Sequence, residues 1–498
     1  MSKPLSPIEY SERIKETMPP LAVKKSSSEL YAYNDKYYEP VTEHELNQFI
    51  YNYFVLGVPA DKINPQPDNW NTARSKQISD ALVLHPTIKQ VDEFDSSQDL
   101  LNINNGVLDI SDISNPKLIP HHRDQEFSSI IDVTYDKNKT EAPNYKRFVE
   151  STFTELKSPE TPDFEAIDAI NQLGGYLLYP KNKIEGFFMF LGGGANGKSL
   201  LIEIYRSFFD DKFVTDMSLK AMAQESSLER SQLIYSRLNI SGEEKGRPID
   251  AEQIKKISSG QHILISRKFM EPMTIKPNTK IIVDSNTIPH FKDHTHGTMR
   301  RLNLFKFPNK FVSKKDYETL KEPLLKRTFL MENRDTLLPA IMDEKSAIFN
   351  IFLSALKTLQ KNNWRFPVTN NSTSMLEEYN EETDTLGSWL EETYFPTPTK
   401  DRDEFNTEAV TTILNDFQEY YQIHFPSTRF PYSSKGIARR INVVFGEERV
   451  VKNVKIGEQW TTVSAYHLTK KTNTTLWQPS KTPTNTPPDQ SLSQSFNL

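Results

Sequence analysis

Gly192-Gly193-Gly194-Ala195-Asn196-Gly197-Lys198-Ser199 is the most informative stretch of this 498-residue chain. It fits the pattern G-x-x-x-x-G-K-[ST]. An apolar run, Phe187 to Leu191, precedes it with the length of a buried strand, and Leu200 to Phe209 follows as a helix. Glycines let backbone N–H groups turn inward around phosphates, and a helix N-terminus adds favourable partial charge. In that setting residues 192–197 cradle the phosphates. Lys198 reaches the β- and γ-phosphates, and the Ser199 hydroxyl ligates Mg²⁺. The expected cofactors are ATP and Mg²⁺.

Downstream, Leu238-Asn239-Ile240-Ser241-Gly242-Glu243-Glu244 reads as a strand ending in two carboxylates. One can complete the Mg²⁺ shell while the other polarises water for attack on the γ-phosphate. Glu243 is assigned to metal and Glu244 to water, with the reverse assignment open. A second apolar run from Thr279 ends in Asp284-Ser285-Asn286, whose amide can bond the attacking water or the γ-phosphate. Met299-Arg300-Arg301-Leu302 then precedes an alternating strand, Leu302 to Phe307. A guanidinium suits transition-state charge on phosphate, and Arg300 and Arg301 both qualify. His290, His294 and His296 lie close together, but without a carboxylate or Cys pattern they read as a polar loop.

Between the acid and Asn strands, Gln261 to Ile275 alternates as a β-hairpin with Arg267, Lys268 and Phe269 at its tip. Such a tip can grip phosphate and stack on a base. Taken alone, the pattern suits an ordinary exposed hairpin better.

The order of phosphate loop, twin-acid strand, Asn-ended strand and Arg pair resembles superfamily 3 helicases. Within them it is similar to the phage/plasmid primase-helicase family, which includes poxvirus-type primase-helicases and replication initiators of phages, plasmids and mobile islands. Asn105-Gly106-Val107-Leu108-Asp109, Leu173-Gly174-Gly175-Tyr176 and Asn196-Gly197-Lys198-Ser199 carry the resemblance, as does Lys255-Lys256-Ile257-Ser258-Ser259-Gly260 followed by Arg267. The resemblance implies an AAA+-type core and a homohexameric ring with an arginine supplied in trans. It also implies 3′→5′ translocation on single-stranded DNA held in the pore by the hairpin, which places Arg267, Lys268 and Phe269 on DNA. Many relatives carry a primase domain ahead of this region. Only about 90 residues precede it here, so primase activity is not expected.

The expected fold class is α/β: an AAA+-type P-loop ATPase core with a mixed N-terminal domain and a C-terminal winged-helix-like domain. Residues 1–90 form a region of unknown role, its first 30 residues a loose arm or short helix. Residues 91–165 precede the core (166–345), and a helical extension with an acidic connector spans 346–404. Residues 405–471 form the C-terminal domain, and 472–498, rich in Thr, Asn, Ser, Pro and Gln, read as a disordered tail. Charge is uneven: residues 371–426 hold 13 acidic and 2 basic side chains, whereas 427–471 hold 9 basic and 3 acidic. Helices followed by a two-stranded wing, with Lys435, Arg439 and Arg440 on the recognition helix and Lys452 and Lys455 on the wing, suit duplex DNA.

No cysteine is present, which excludes disulfides, Cys-type zinc sites and thiol nucleophiles. No apolar run is long enough for a transmembrane helix, and the N-terminus lacks a secretory signal, so a cytoplasmic protein is expected. The expected function is an ATP-dependent replicative DNA helicase and initiator of a mobile element. Its expected partners are single-stranded DNA, duplex origin DNA, other copies of itself and host replication proteins, with no membrane. The alternative is an ATP-switched, origin-binding initiator or loader without unwinding activity. A small-molecule P-loop kinase fits the twin acids, hairpin and C-terminal module poorly.

Overall fold

Every residue of the Phe187–Leu191 strand is fully buried. The structure, a computed structural model, describes residues 6–51, 72–242, 249–268, 270–289, 291, 301–320, 327–367, 369, 385–398, 400, 402, 407–424, 430, 432–456 and 459–471. It divides into two units, 1–383 with 424–429, and 384–423 with 430–498.

In the first unit the strand lies inside a five-stranded sheet ordered Leu302–Lys306, Phe187–Leu191, Lys280–Ser285, Leu238–Ser241, Val214–Thr215. All neighbours are parallel. Parallel sheets are covered on both faces, which explains the uninterrupted apolar run. Alternate side chains enter different cores. Phe188 and Phe190 pack with helices Phe164–Leu178, Lys198–Arg206 and Lys345–Lys361. Phe187, Met189 and Leu191 pack with Leu219, Met222, Ile254, Ile257 and the hairpin's Ile263 and Ile265. Gly174 and Gly175 let helix Phe164–Leu178 lie close on helix Lys345–Lys361. A Cβ on Gly174 would meet the Phe352 ring at 2.5 Å, and one on Gly175 would collide with the Phe352 carbonyl.

Of the loose arm or short helix expected over the first 30 residues, the structure has the helix, followed by strands that the sequence did not signal. Ser6 caps helix Pro7–Thr17 in a reciprocal capping box with Glu9. Leu21–Lys24 and Glu29–Tyr33 then join Tyr38–Pro40 and Lys89–Val91 in a four-stranded sheet. The expected boundary at 90 falls inside that last strand, where Val23 faces Gln90. Strands of three to five residues carry too little periodicity to be read. Asn104-Asn105 makes the turn between Leu100–Ile103 and Gly106–Asp109. Thr42 caps helix Glu43–Ile50 in a reciprocal capping box with Glu45.

The second unit begins earlier than 405. Helix Thr385–Thr393 and strand Tyr394–Pro396, assigned to the connector, belong to it: the strand pairs antiparallel with Leu468–Lys470, and Trp389 packs on Phe417 at 4.8 Å. Helices Val410–His424 and Ser434–Phe445 lead into the hairpin Val450–Ile456 and Gln459–Tyr466, whose second strand also pairs with Glu408–Ala409. The tail from 472 lies outside the described residues. Among the described residues no helix is long and apolar enough to cross a membrane.

Candidate nucleotide and nucleic-acid sites

The glycine loop turns at the C-terminal edge of the parallel sheet, the edge where open α/β sheets hold ligands. Gly197 closes it at φ +91°, a left-handed conformation that favours glycine, and caps helix Lys198–Arg206. Around Gly193 and Gly194 an added Cβ would meet nothing within 4 Å, so the mouth of the loop is open. Asn196 is buried. Its Oδ1 accepts the Lys198 N–H at 3.3 Å, while its Nδ2 has no hydrogen-bond partner. An unpartnered buried donor inside the loop suits an incoming phosphate oxygen.

Lys198 is buried, at 6% exposure. Its ammonium donates to the Gly192 carbonyl, to the Ser285 carbonyl at 3.0 Å and to Asn286 Oδ1 at 3.5 Å, and pairs with Asp284 at 3.2 Å. The sheet explains this meeting: Lys280–Ser285 lies directly beside the loop strand, with Ser285 opposite Leu191. Ser199, at the first turn of the helix, is exposed.

Strand Leu238–Ser241 lies one place beyond the Asn-ended strand, with Ser241 opposite Val283. Glu243 and Glu244, just past it, lie outside the described residues, as do Arg300, Phe269, His290, His294 and His296. No cluster of three metal-ligating side chains occurs among the described residues.

Arg301 is turned into its own chain. Its Nη2 donates to Glu185 at 2.8 Å and Ser259 at 3.3 Å, and only 8% of its side chain is exposed. This differs from an arginine offered to a neighbouring subunit. The short spacing from the strand start at Leu302 draws it inward, because its own carbonyl already accepts the Phe187 N–H.

A cavity of about 430 Å³ adjoins the loop, lined by Ala195 to Leu200 on one side and by Phe311, Phe329, Leu330 and Met331 on another. Parallel strands Lys310–Val312 and Thr328–Leu330 build this wall, and the Phe311 N–H ties it to the Ala195 carbonyl at 2.6 Å. The Phe311 and Phe329 rings are 6.0 Å apart. An aromatic, apolar wall beside the glycine loop suits a nucleobase. Reading the sequence missed it, although Phe307, Phe311 and Phe329 signal apolar structure beyond the Arg pair.

The hairpin is present as Ile263–Arg267 and Met270–Ile275, with a register shift between Ile265 and Arg267. Lys268 is exposed at the tip. Arg267 pairs with Glu29 of the N-terminal sheet at 3.0 Å, with only 14% of its side chain exposed. At the base of the core sheet, Lys280 is buried, donates to the Tyr179 carbonyl at 2.5 Å and lies over the Tyr176 ring. Burial holds its ammonium well below the usual lysine pKa, with Arg237 and Lys181 adding repulsion.

In the second unit, helix Ser434–Phe445 buries Ile437 and Ile441 and exposes Lys435 and Arg439, with Arg440 half-buried. Tyr466 donates to the Ala438 carbonyl at 3.1 Å, fixing the helix on the hairpin. Lys452 and Lys455 lie opposite Val463 and Trp460, and their side chains lie outside what is described.

Two family models match the chain: a family described as "D5 N terminal like" over residues 71–154, and a "Family of unknown function (DUF5906)" over 190–301. A putative helicase, L207/L206, of Acanthamoeba polyphaga mimivirus is 26% identical over 239 residues, covering 46% of this chain and 25% of the relative. The putative primase C962R of African swine fever virus (strain Badajoz 1971 Vero-adapted) is 22% identical over 345 residues, covering 66% and 34%. The chain thus spans a quarter to a third of the length of these relatives. Structures of the NrS-1 C-terminal region (305–718) align over 94% of this chain and 100% of theirs at TM-score 0.43 and 12% identity, and over 93% and 99% at 0.46 and 13%.

Proposed function

We propose, from its similarity to viral helicases and primases, that this chain is an ATP-dependent replicative DNA helicase and initiator, working as a homohexameric ring of AAA+-type subunits that moves 3′→5′ on single-stranded DNA. One observation carries the reading. The Lys198 ammonium sits between the glycine loop and the Asp284-Ser285-Asn286 end of the neighbouring strand. A γ-phosphate entering the loop would take Lys198 from the Gly192 and Ser285 carbonyls. Asn286, 3.5 Å from that ammonium, would then face the same phosphate. Hydrolysis is thereby linked to a strand end that continues toward the arginine pair.

Ser199 and Glu243 are the residues that would hold Mg²⁺, which neutralises charge on the β- and γ-oxygens when bound. Glu244 would hold the attacking water. The finger role falls to Arg300, since Arg301 is committed to Glu185. The C-terminal unit supports a winged helix that binds duplex origin DNA. Its three-stranded sheet, ordered 408–409, 459–466, 450–456, follows two helices, the second carrying Lys435, Arg439 and Arg440.

A second reading, an ATP-switched initiator or loader, is favoured by the Arg267–Glu29 pair, which ties the hairpin to the N-terminal sheet. Forked duplexes separate the two. The helicase reading expects single strands to stimulate ATP hydrolysis and expects displacement from a 3′-tailed fork but not a 5′-tailed one. Stimulated hydrolysis with no displacement from either fork would leave the switch.

A further inference from the structure

A second cavity, of about 360 Å³, lies between the N-terminal sheet and the base of the hairpin, and shares no lining residue with the loop cavity. Tyr31, Tyr37, Phe94, Phe213 and Tyr235 give it aromatic walls. Four carboxylates also line it, and each is already matched by a cation. Glu39 pairs with Lys212, Asp95 with Arg237, Asp92 with Lys25 at 2.9 Å, and Glu93 with Lys181 at 3.3 Å. The side chains of Lys24, Lys276 and His262 line the same space and make no ion pair or hydrogen bond among the described residues. With the acids spoken for, the two lysines leave net positive charge beside aromatic faces.

That pairing matches a nucleotide: bases stack on aromatic rings, and phosphate takes charge-assisted hydrogen bonds from ammonium groups. The volume falls within the ~300–1,000 Å³ range of ligand pockets. Thr274, Ile275 and Lys276 form one wall where the hairpin's returning strand ends, so an occupant would touch the element whose tip carries Lys268. We propose that this cavity is a second site, separate from the glycine loop, that holds one nucleotide unit. The unit is either part of a DNA single strand or a free nucleotide. The proposal rests on the helicase reading only in naming the strand as a source.

The test uses the full chain and a single-stranded oligothymidine carrying 5-iodouracil, photo-cross-linked and mapped by mass spectrometry. Cross-links at Tyr31, Phe94 or Tyr235 are expected. Lys24→Glu with Lys276→Glu should abolish them and weaken strand affinity about tenfold at low salt, by removing two phosphate contacts. ATP hydrolysis without DNA should stay unchanged. Lys24→Gln with Lys276→Gln, read beside a melting curve, guards against misfolding of the reversed variant. If thymidine monophosphate displaces the cross-link, the source is a free nucleotide; if only longer strands do, it is the strand. Either supports the site. Wild-type DNA binding that is indifferent to both double variants, or cross-links confined to other residues, overturns this site alone. A wild type that takes up neither strand nor mononucleotide overturns the helicase reading as well.

Discussion

Lys198 and Lys280 are both buried lysines bonded to backbone carbonyls, yet their settings give them opposite uses. Lys198 has Asp284 beside it and an open loop above. Lys280 has the Tyr179 carbonyl and a ring but, among the described residues, no carboxylate paired with it, and Arg237 and Lys181 oppose its charge. Its folded pKa is depressed, while the unfolded chain keeps the proton up to about pH 10.4. Between those values the unfolded state binds more protons, so stability rises with pH. Melting curves of Lys280→Met should therefore show a flatter rise on the way up to about pH 10 than wild type; an equal slope would mean that burial does not depress the Lys280 pKa. Arg301 is the third case. Arg301→Ala should cost about 1–3 kcal/mol of stability by removing its charged hydrogen bonds. Mixing it with Lys198→Ala should restore no hydrolysis. Arg300→Ala should fold normally, lose ~10³–10⁵ in rate, and be partly rescued by the same mixing. Rescue of Arg301→Ala in confirmed mixed rings would return the finger role to it.

At the scale of elements, the hairpin and the second unit's helix each carry exposed cations on a buried apolar base. Lys268→Ala leaves Lys198, Asp284 and Asn286 untouched, so basal ATP hydrolysis should persist while strand displacement drops severalfold at physiological salt. Unchanged displacement would remove the hairpin from DNA tracking. Arg439→Ala with Arg440→Ala should weaken binding of duplex DNA and flatten its salt dependence, since each lost phosphate contact lowers the salt slope by about one; unaltered duplex binding would exclude this helix. These elements were legible in sequence because each is local: a glycine loop after an apolar run, a hairpin alternating through Ile263 and Ile265, a helix with Ile437 and Ile441 on one stripe. What stayed hidden is non-local. Nothing near Arg267 announces Glu29, more than 200 residues earlier, and nothing near Tyr394 announces its pairing with Lys470. The aromatic wall of Phe311 and Phe329 was missed for the same reason, being built from two short parallel strands.

Across the whole chain, a contiguous signal marks the proposed phosphate site, whereas sheet order decides which distant residues meet it. Placing Lys280–Ser285 beside Phe187–Leu191 is what brings Asn286 to Lys198, and no local pattern dictates that adjacency. The central claim is that this meeting point converts ATP hydrolysis into strand separation. Displacement from a 3′-tailed fork, followed with ATP and Mg²⁺ for wild type and Lys198→Ala side by side, tests it most directly. Wild type should hydrolyse ATP and release the strand, and the variant should do neither. A wild type that hydrolyses no ATP in the presence of DNA, or a Lys198→Ala variant that separates strands as well as wild type, would contradict the account.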